Sequence, residues 1–173
     1  MNSASDINKE LKRHANILEL GSGIGLLGIA LCKSHPSSNI TLSDVDNNVI
    51  KRLKFNINLN ELQNVNVNIN KIDWLNDNSI LFNTINPQVI IATDVIYHDE
   101  LFEPLLNTLK YIMVNIQNFK LCYIIGVKRN ENTFDKFLNV LSSTLRGIDC
   151  KFLLQFLKNF IYIYRMFFNT RSH

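Results

Sequence analysis

At 173 residues, with 46% hydrophobic and 19% charged side chains, the chain suits one domain with a substantial core and falls outside the disordered and membrane-spanning classes. Its 18 Lys and Arg against 15 Asp and Glu leave a net charge of +3, scattered enough that no basic stripe speaks for nucleic acid. Residues 1–14 are polar and charged, unlike a secretory signal, and the apolar tail from Lys151 to Phe168 is a poor membrane span because Lys158 and Arg165 break it. Three cysteines, Cys32, Cys122 and Cys150, lie in apolar stretches without a CxxC spacing. They read as buried small hydrophobes of a reducing, cytoplasmic protein.

In chain order, "NILEL" reads as a strand and the segment from about Gly25 to Lys33 as a helix. "NITLS" is a second strand. "DNNVIKRLKFNINLNEL" follows as a helix with Val49, Leu53, Phe55 and Ile57 on one side, and with Lys51, Arg52 and Lys54 on a solvated face. "VNVNI" alternates as a half-buried strand does, and "PQVIIAT" is the short continuous apolar run of a strand covered on both faces. "ELFEPLLNTLKYIMVNI" is long enough for a helix, with Pro104 tolerable only near its first turn. "KLCYIIGV" is another buried strand, and "NENTFDKFLNVLSSTLR" a helix with an Asn or Thr cap and Gly147 as its stop. "DCKFLLQFL" and "FIYIYRMFF" stand too close for a crossover, which predicts a hairpin and an antiparallel edge on an otherwise parallel α/β sheet.

In such a sheet a ligand binds outside the carboxyl ends of the strands, so the turn Gly21–Gly25 faces it. Glycines there allow positive φ and close backbone approach. Leu26-Leu27 excludes a phosphate-binding P-loop, and Leu26 stands where a dinucleotide fingerprint needs its third glycine. The spacing is GxGxG, which suits a ligand without a pyrophosphate. S-adenosylmethionine is the natural candidate, and a tight turn with no ligand is the competing reading. Asp44 closes the second strand about twenty residues on, where a carboxylate can accept from both ribose hydroxyls; nearby Asp46 reads equally as a helix cap. Asp73 can accept from an adenine amino group and Trp74, the single tryptophan, can cover the ring or serve the core. After the fourth strand, Asp94 and Tyr97 deliver a carboxylate and a phenol to the same cleft; their plainer roles are a helix cap and a partly buried tyrosine. His98 has no His or Cys companions, so no metal site is expected.

With these residues assembled, the chain resembles the seven-strand S-adenosylmethionine-dependent methyltransferases, and among them the protein-lysine methyltransferases that carry a D-x-x-Y element after strand four. The likeness is greatest to those acting on eukaryotic elongation factor 2. It rests on "ILELGSGIGLLGIALCK", "KIDW", "NPQVIIATDVIY" and "VKRNENTFDKF", from about residue 16 to 140. The resemblance implies a Rossmann-like sheet ordered 3-2-1-4-5-7-6 with an antiparallel last strand. It implies that Gly21, Ser22 and Gly23 lie under the methionine moiety, framed by Glu19 and Gly25. Asp44 becomes the ribose acid, Trp74 the adenine-pocket indole, and Thr93, with Ala92 beside it, the strand-four border of the cofactor. Asp94 and Tyr97 match the D-x-x-Y element at a lysine channel. The substrate implied is a protein, elongation factor 2 by preference, and the expected chain is a monomer with neither nucleic-acid nor membrane partners. Members of the family carry a region before the first motif that includes a tryptophan of the cofactor site. Here about sixteen residues without Trp precede the first strand, so the expectation is a single domain, 1–173, lacking that region. A fold retained for binding without turnover is the alternative of a different class.

Overall fold

The computed structural model describes residues 15–146, 150–157 and 161–168. Five strands, β1 (Asn16–Leu20), β2 (Asn39–Asp44), β3 (Val67–Lys71), β4 (Val89–Thr93) and β5 (Leu121–Val127), pair in parallel. β6 (Cys150–Leu157) and β7 (Ile161–Phe168) pair antiparallel, β7 lying against β5, and the sheet order is β3-β2-β1-β4-β5-β7-β6. The helices are α1 (Leu26–Ser34), α2 (Asn47–Leu59), α3 (Ser79–Ile85), α4 (Phe102–Asn115) and α5 (Glu131–Thr144).

The inner strands are almost wholly buried because helices cover both faces. Alternate residues of one strand therefore enter different cores. Leu18 and Leu20 of β1 join Ile90, Phe102, Leu105, Phe134 and Phe137 on the side of α4 and α5. Ile17 joins Leu31, Cys32, Ile40, Leu42, Leu53 and Ile57 on the side of α1 and α2. Phe102 and Phe137 meet edge to face at 5.4 Å and 81°, a geometry worth about 1 kcal/mol beyond burial, which ties α4 to α5.

Local chemistry sets several boundaries. The Asp46 carboxylate accepts from the N–H groups of Asn48 and Val49 and starts α2, and Asn130 does the same for α5 through Thr133 N–H. Pro104 is the third residue of α4, where its missing N–H costs no helical bond. On α2, Leu53 and Ile57 are buried as expected, but Phe55 is 63% exposed. Positions 49, 53 and 57 follow the i+4 row, whereas 55 is carried to the far side. Lys51, Arg52 and Lys54 are exposed. The seven residues of α3 form a helix where the sequence shows no helical period; only Phe82 of them is buried. The stop predicted at Gly147 lies outside the described residues.

Cys32 and Cys122 are buried free thiols. Burial, and then the neighbouring Glu19 carboxylate, pushes Cys32 up to about 11, and burial raises Cys122 further, so both stay protonated and inert.

Candidate functional site

Sheet order reverses at β1, which pairs with β2 on one side and β4 on the other. Crevices open at such points, beyond the carboxyl ends of the strands. The pocket found there is lined by Gly21, Asp44, Val45, Ile72, Asp73, Trp74, Tyr97 and Leu101. Each of β1, β2 and β3 thus supplies the residues just beyond its end, and the segment after β4 supplies the far wall.

The glycine turn is left-handed three times, with φ of +68° at Gly21, +53° at Gly23 and +92° at Gly25. At Gly21 a Cβ would stand 3.0 Å from Val95 Cγ1 and 3.6 Å from Trp74 Cζ2, so the indole lies directly over the bare backbone. Trp74 is half-buried and packs on the core with one part while lining the pocket with another. One ring thus packs on the core and borders the pocket.

Asp44 is the acid of the pocket. Its Oδ2 accepts from Gly23 N–H at 3.1 Å and its Oδ1 from Asp46 N–H at 3.1 Å. These bonds fix the carboxylate at the mouth of the turn and leave lone pairs on both oxygens for further donors. Asp73 also lines the pocket, but its carboxylate is turned to its own loop, accepting from Leu75 N–H at 3.0 Å and Asn76 Nδ2 at 2.8 Å.

Six of the ten anticipated cofactor residues do not line the pocket: Gly23 and Gly25 of the turn, and Ser22, Ala92, Thr93 and Glu19, which stand behind it. Ser22 is 8% exposed and ties the turn to β2: its N–H donates to Ser43 O, its Oγ accepts from Ser43 N–H, and its hydroxyl donates to Glu19 O. Ala92 is fully buried in the core. Thr93 is half-buried at the end of β4 and does not line the pocket. Glu19 is 1% exposed, wedged beside Gly28 and Leu42 beneath the turn, and its Oε2 finds no hydrogen-bond partner among the described residues. Burial lifts its carboxyl to about 7, opposed by hydrogen bonds from Ser22 and the Gly28 backbone.

Asp94 and Tyr97 do not share one pocket. Tyr97 is 56% exposed, edge-on to His98, and lines both the first pocket and a second cleft of about 650 Å³. That cleft is walled by Ile96, Tyr97 and Phe134, with Arg129, Asn130 and Thr133 among its polar edge. Asp94 adopts φ +54°, uncommon outside glycine. Its N–H donates to Ile125 O at 2.8 Å, Oδ1 accepts from Val127 N–H at 3.3 Å, and Oδ2 faces Arg129 Nη2 at 3.4 Å. The carboxylate thus reaches the second cleft through Arg129. That arginine was not anticipated from the sequence, although its position just past β5, at a strand's carboxyl end, is a usual place for a site residue. Among the described residues, no group of three or more His, Cys, Asp or Glu comes together to hold a metal ion, and no helix is long and apolar enough to cross a membrane.

The glycine cradle, the fixed acid and the indole together fit a nucleoside with a cationic, amino-acid-like arm. A family model described as lysine methyltransferase matches residues 1–144. The chain is similar to an uncharacterised protein of Dictyostelium discoideum, 32% identical over 84% of this chain and 48% of that one. It is also similar to the human protein-lysine N-methyltransferase EEF2KMT, 28% identical over 78% of this chain and 44% of that one. It therefore spans about half the length of these relatives. Magnesium protoporphyrin IX methyltransferase from Synechocystis PCC 6803, solved with S-adenosylmethionine bound, shares the fold with a TM-score of 0.62 at 11% identity, over 95% of this chain and 74% of that one.

Proposed function

The chain belongs to the lysine methyltransferase family, and from that premise we propose that it transfers a methyl group from S-adenosylmethionine to a lysine side chain of a protein substrate, elongation factor 2 by preference. The observation that carries the reading is the convergence of Gly21, Asp44 and Trp74 on one pocket whose wall, Tyr97, is shared with a second cleft. One opening suits the nucleoside and the other the incoming amine. The sheet is read accordingly as the seven-strand methyltransferase sheet ending in an antiparallel hairpin, in a single-domain, monomeric, cytoplasmic protein.

When bound, the cofactor supplies a methyl group activated by its sulfonium. The chain's own residues hold and orient. Asp44 would accept from the ribose hydroxyls, Trp74 would cover the adenine, and the glycine turn beginning at Gly21 would admit the amino-acid arm. A lysine amine titrates near about 10.4, so presenting it neutral at pH 7 costs about 4–5 kcal/mol. Once substrate covers the cleft lined by Tyr97, Ile96 and Phe134, exclusion of water there would lower that cost by disfavouring the ammonium. Alignment of nitrogen and methyl supplies much of the remaining acceleration. Asp94 orients the amine rather than acting as a strong base, because a carboxylate beside an ammonium also favours its charged form.

Asp44→Asn keeps one acceptor and loses the charge, so affinity for S-adenosylhomocysteine should fall about tenfold, the value of one charge-assisted hydrogen bond. Calorimetry measures it, with a melting curve to show that the turn anchored on Asp44 remains folded. The function itself is tested by incubating the chain with methyl-labelled cofactor and recombinant elongation factor 2. Label on a lysine of that protein supports the proposal. Label on lysine of a different protein keeps the chemistry and replaces the substrate. No label on elongation factor 2 from a folded chain that binds S-adenosylhomocysteine defeats the substrate claim.

A further inference from the structure

We propose that Arg129 is a positioning residue of the second cleft: its guanidinium competes with the substrate's ammonium for Asp94 and so favours the neutral amine that must react. The inference rests on the lysine-methylating reading and deepens it.

The geometry points to this role. Asp94 is held rigidly in its left-handed conformation by bonds to Ile125 and Val127 on the neighbouring strand. Those bonds engage the backbone N–H and Oδ1, and Arg129, which lines the cleft, brings its Nη2 to 3.4 Å from the remaining oxygen, Oδ2. A guanidinium keeps its charge at every working pH. An ammonium arriving at Asp94 therefore meets a carboxylate already facing a cation, and the attraction that would hold the amine protonated is partly cancelled. The pair is open to solvent, with side chains 53% and 74% exposed, so its influence is screened until a substrate covers the cleft.

The other charges nearby are largely matched. Lys128 pairs with Glu131 at 2.6 Å and lies over the Phe134 ring, Lys136 pairs with Asp99 at 2.5 Å, and His98 faces Glu100 at 3.8 Å. Arg129 is thus the cation placed to act on Asp94, while the titratable Tyr97 forms the wall between the two openings.

Arg129→Gln, with Arg129→Lys beside it, tests the idea on elongation factor 2 from pH 6.5 to 9.5. The glutamine variant should bind the substrate several-fold more tightly in the presence of S-adenosylhomocysteine by calorimetry, because repulsion of the ammonium is gone. It should also turn over more slowly at pH 7, by roughly three- to tenfold for a shift of half a unit to one unit in the amine. With the amine's pKa held below the free value by the cleft, the deficit in turnover should narrow as pH rises toward 9.5, and the lysine variant should restore the neutral-pH rate. A loss equal at all pH values, or weaker substrate binding, would mean that Arg129 only holds its loop, and would overturn the proposal. A wild-type chain that labels no lysine at any pH removes the activity reading and this inference with it, so the two failures are told apart by the wild-type control.

Discussion

Replacing Gly25 by alanine should destabilise the fold by about 3 kcal/mol, a sum of two separable effects. The first is conformational: Gly25 sits at φ +92° as the cap of α1, and an L-residue in left-handed backbone costs about 1–2 kcal/mol. The second is steric. A Cβ at this position would fall 2.4 Å from Leu53 Cδ1 and 3.6 Å from Ile29 Cδ1. Leu53 is fully buried in the core between α1, α2 and the sheet, so it has little room to yield. Overpacking of a tight core costs about 1–3 kcal/mol. Gly23 provides the internal control, since it is also left-handed, at φ +53°, but has nothing within 4 Å of a Cβ. Gly23→Ala should therefore lose only about 1–2 kcal/mol. Urea unfolding of both variants checks the pair. Equal losses would show that Leu53 gives way freely and that the turn is constrained by its dihedrals alone.

The comparison between positions 23 and 25 also shows which parts of the molecule were legible in the sequence. The GxGxG spacing announces a left-handed turn, but not which glycine is held by packing and which by open space. The inner strands were readable because burial on both faces writes a continuous apolar run, as in Val89–Thr93. The helix Ser79–Ile85 was not, since seven residues with one buried side chain contain no period. Phe55 is apolar but stands off the i+4 row that Leu53 and Ile57 occupy, so residue type alone does not reveal its exposure. Asp44 and Trp74 line the pocket, as polar or amphipathic groups at strand ends after apolar runs suggest. Ser22 and Ala92 were placed on the correct segments but face inward, and that orientation is set by contacts with β2 and the core. Arg129 lies 35 residues from its partner Asp94, a distance across which spacing carries no signal; only the pairing of β4 with β5 brings them together.

Glu19 should make stability fall as pH rises from about 4.5 to about 7, and Glu19→Gln should abolish that part of the fall. The carboxyl is buried beneath the glycine turn and raised from 4.5 to about 7, so between these values the unfolded chain releases a proton that the folded chain keeps. The unfolded state then binds fewer protons, and the slope of unfolding free energy with pH is negative, about 1.4 kcal/mol per unit for one group. Below 4.5 both states are protonated and nothing is lost. Above 7 both are ionised, and the folded state carries the full cost of a buried charge, about 3 kcal/mol. Two hydrogen bonds, from Ser22 and the Gly28 backbone, already favour the ionised form; without them the burial cost would be larger. Urea unfolding at pH 5 and pH 8 measures the effect as a difference of differences, in which the intrinsic change from Glu to Gln cancels. The gap between variant and wild type should move by about 2.5 kcal/mol in favour of glutamine across that interval. Parallel curves would mean that water reaches Oε2 and that the carboxylate beneath the turn is solvated after all.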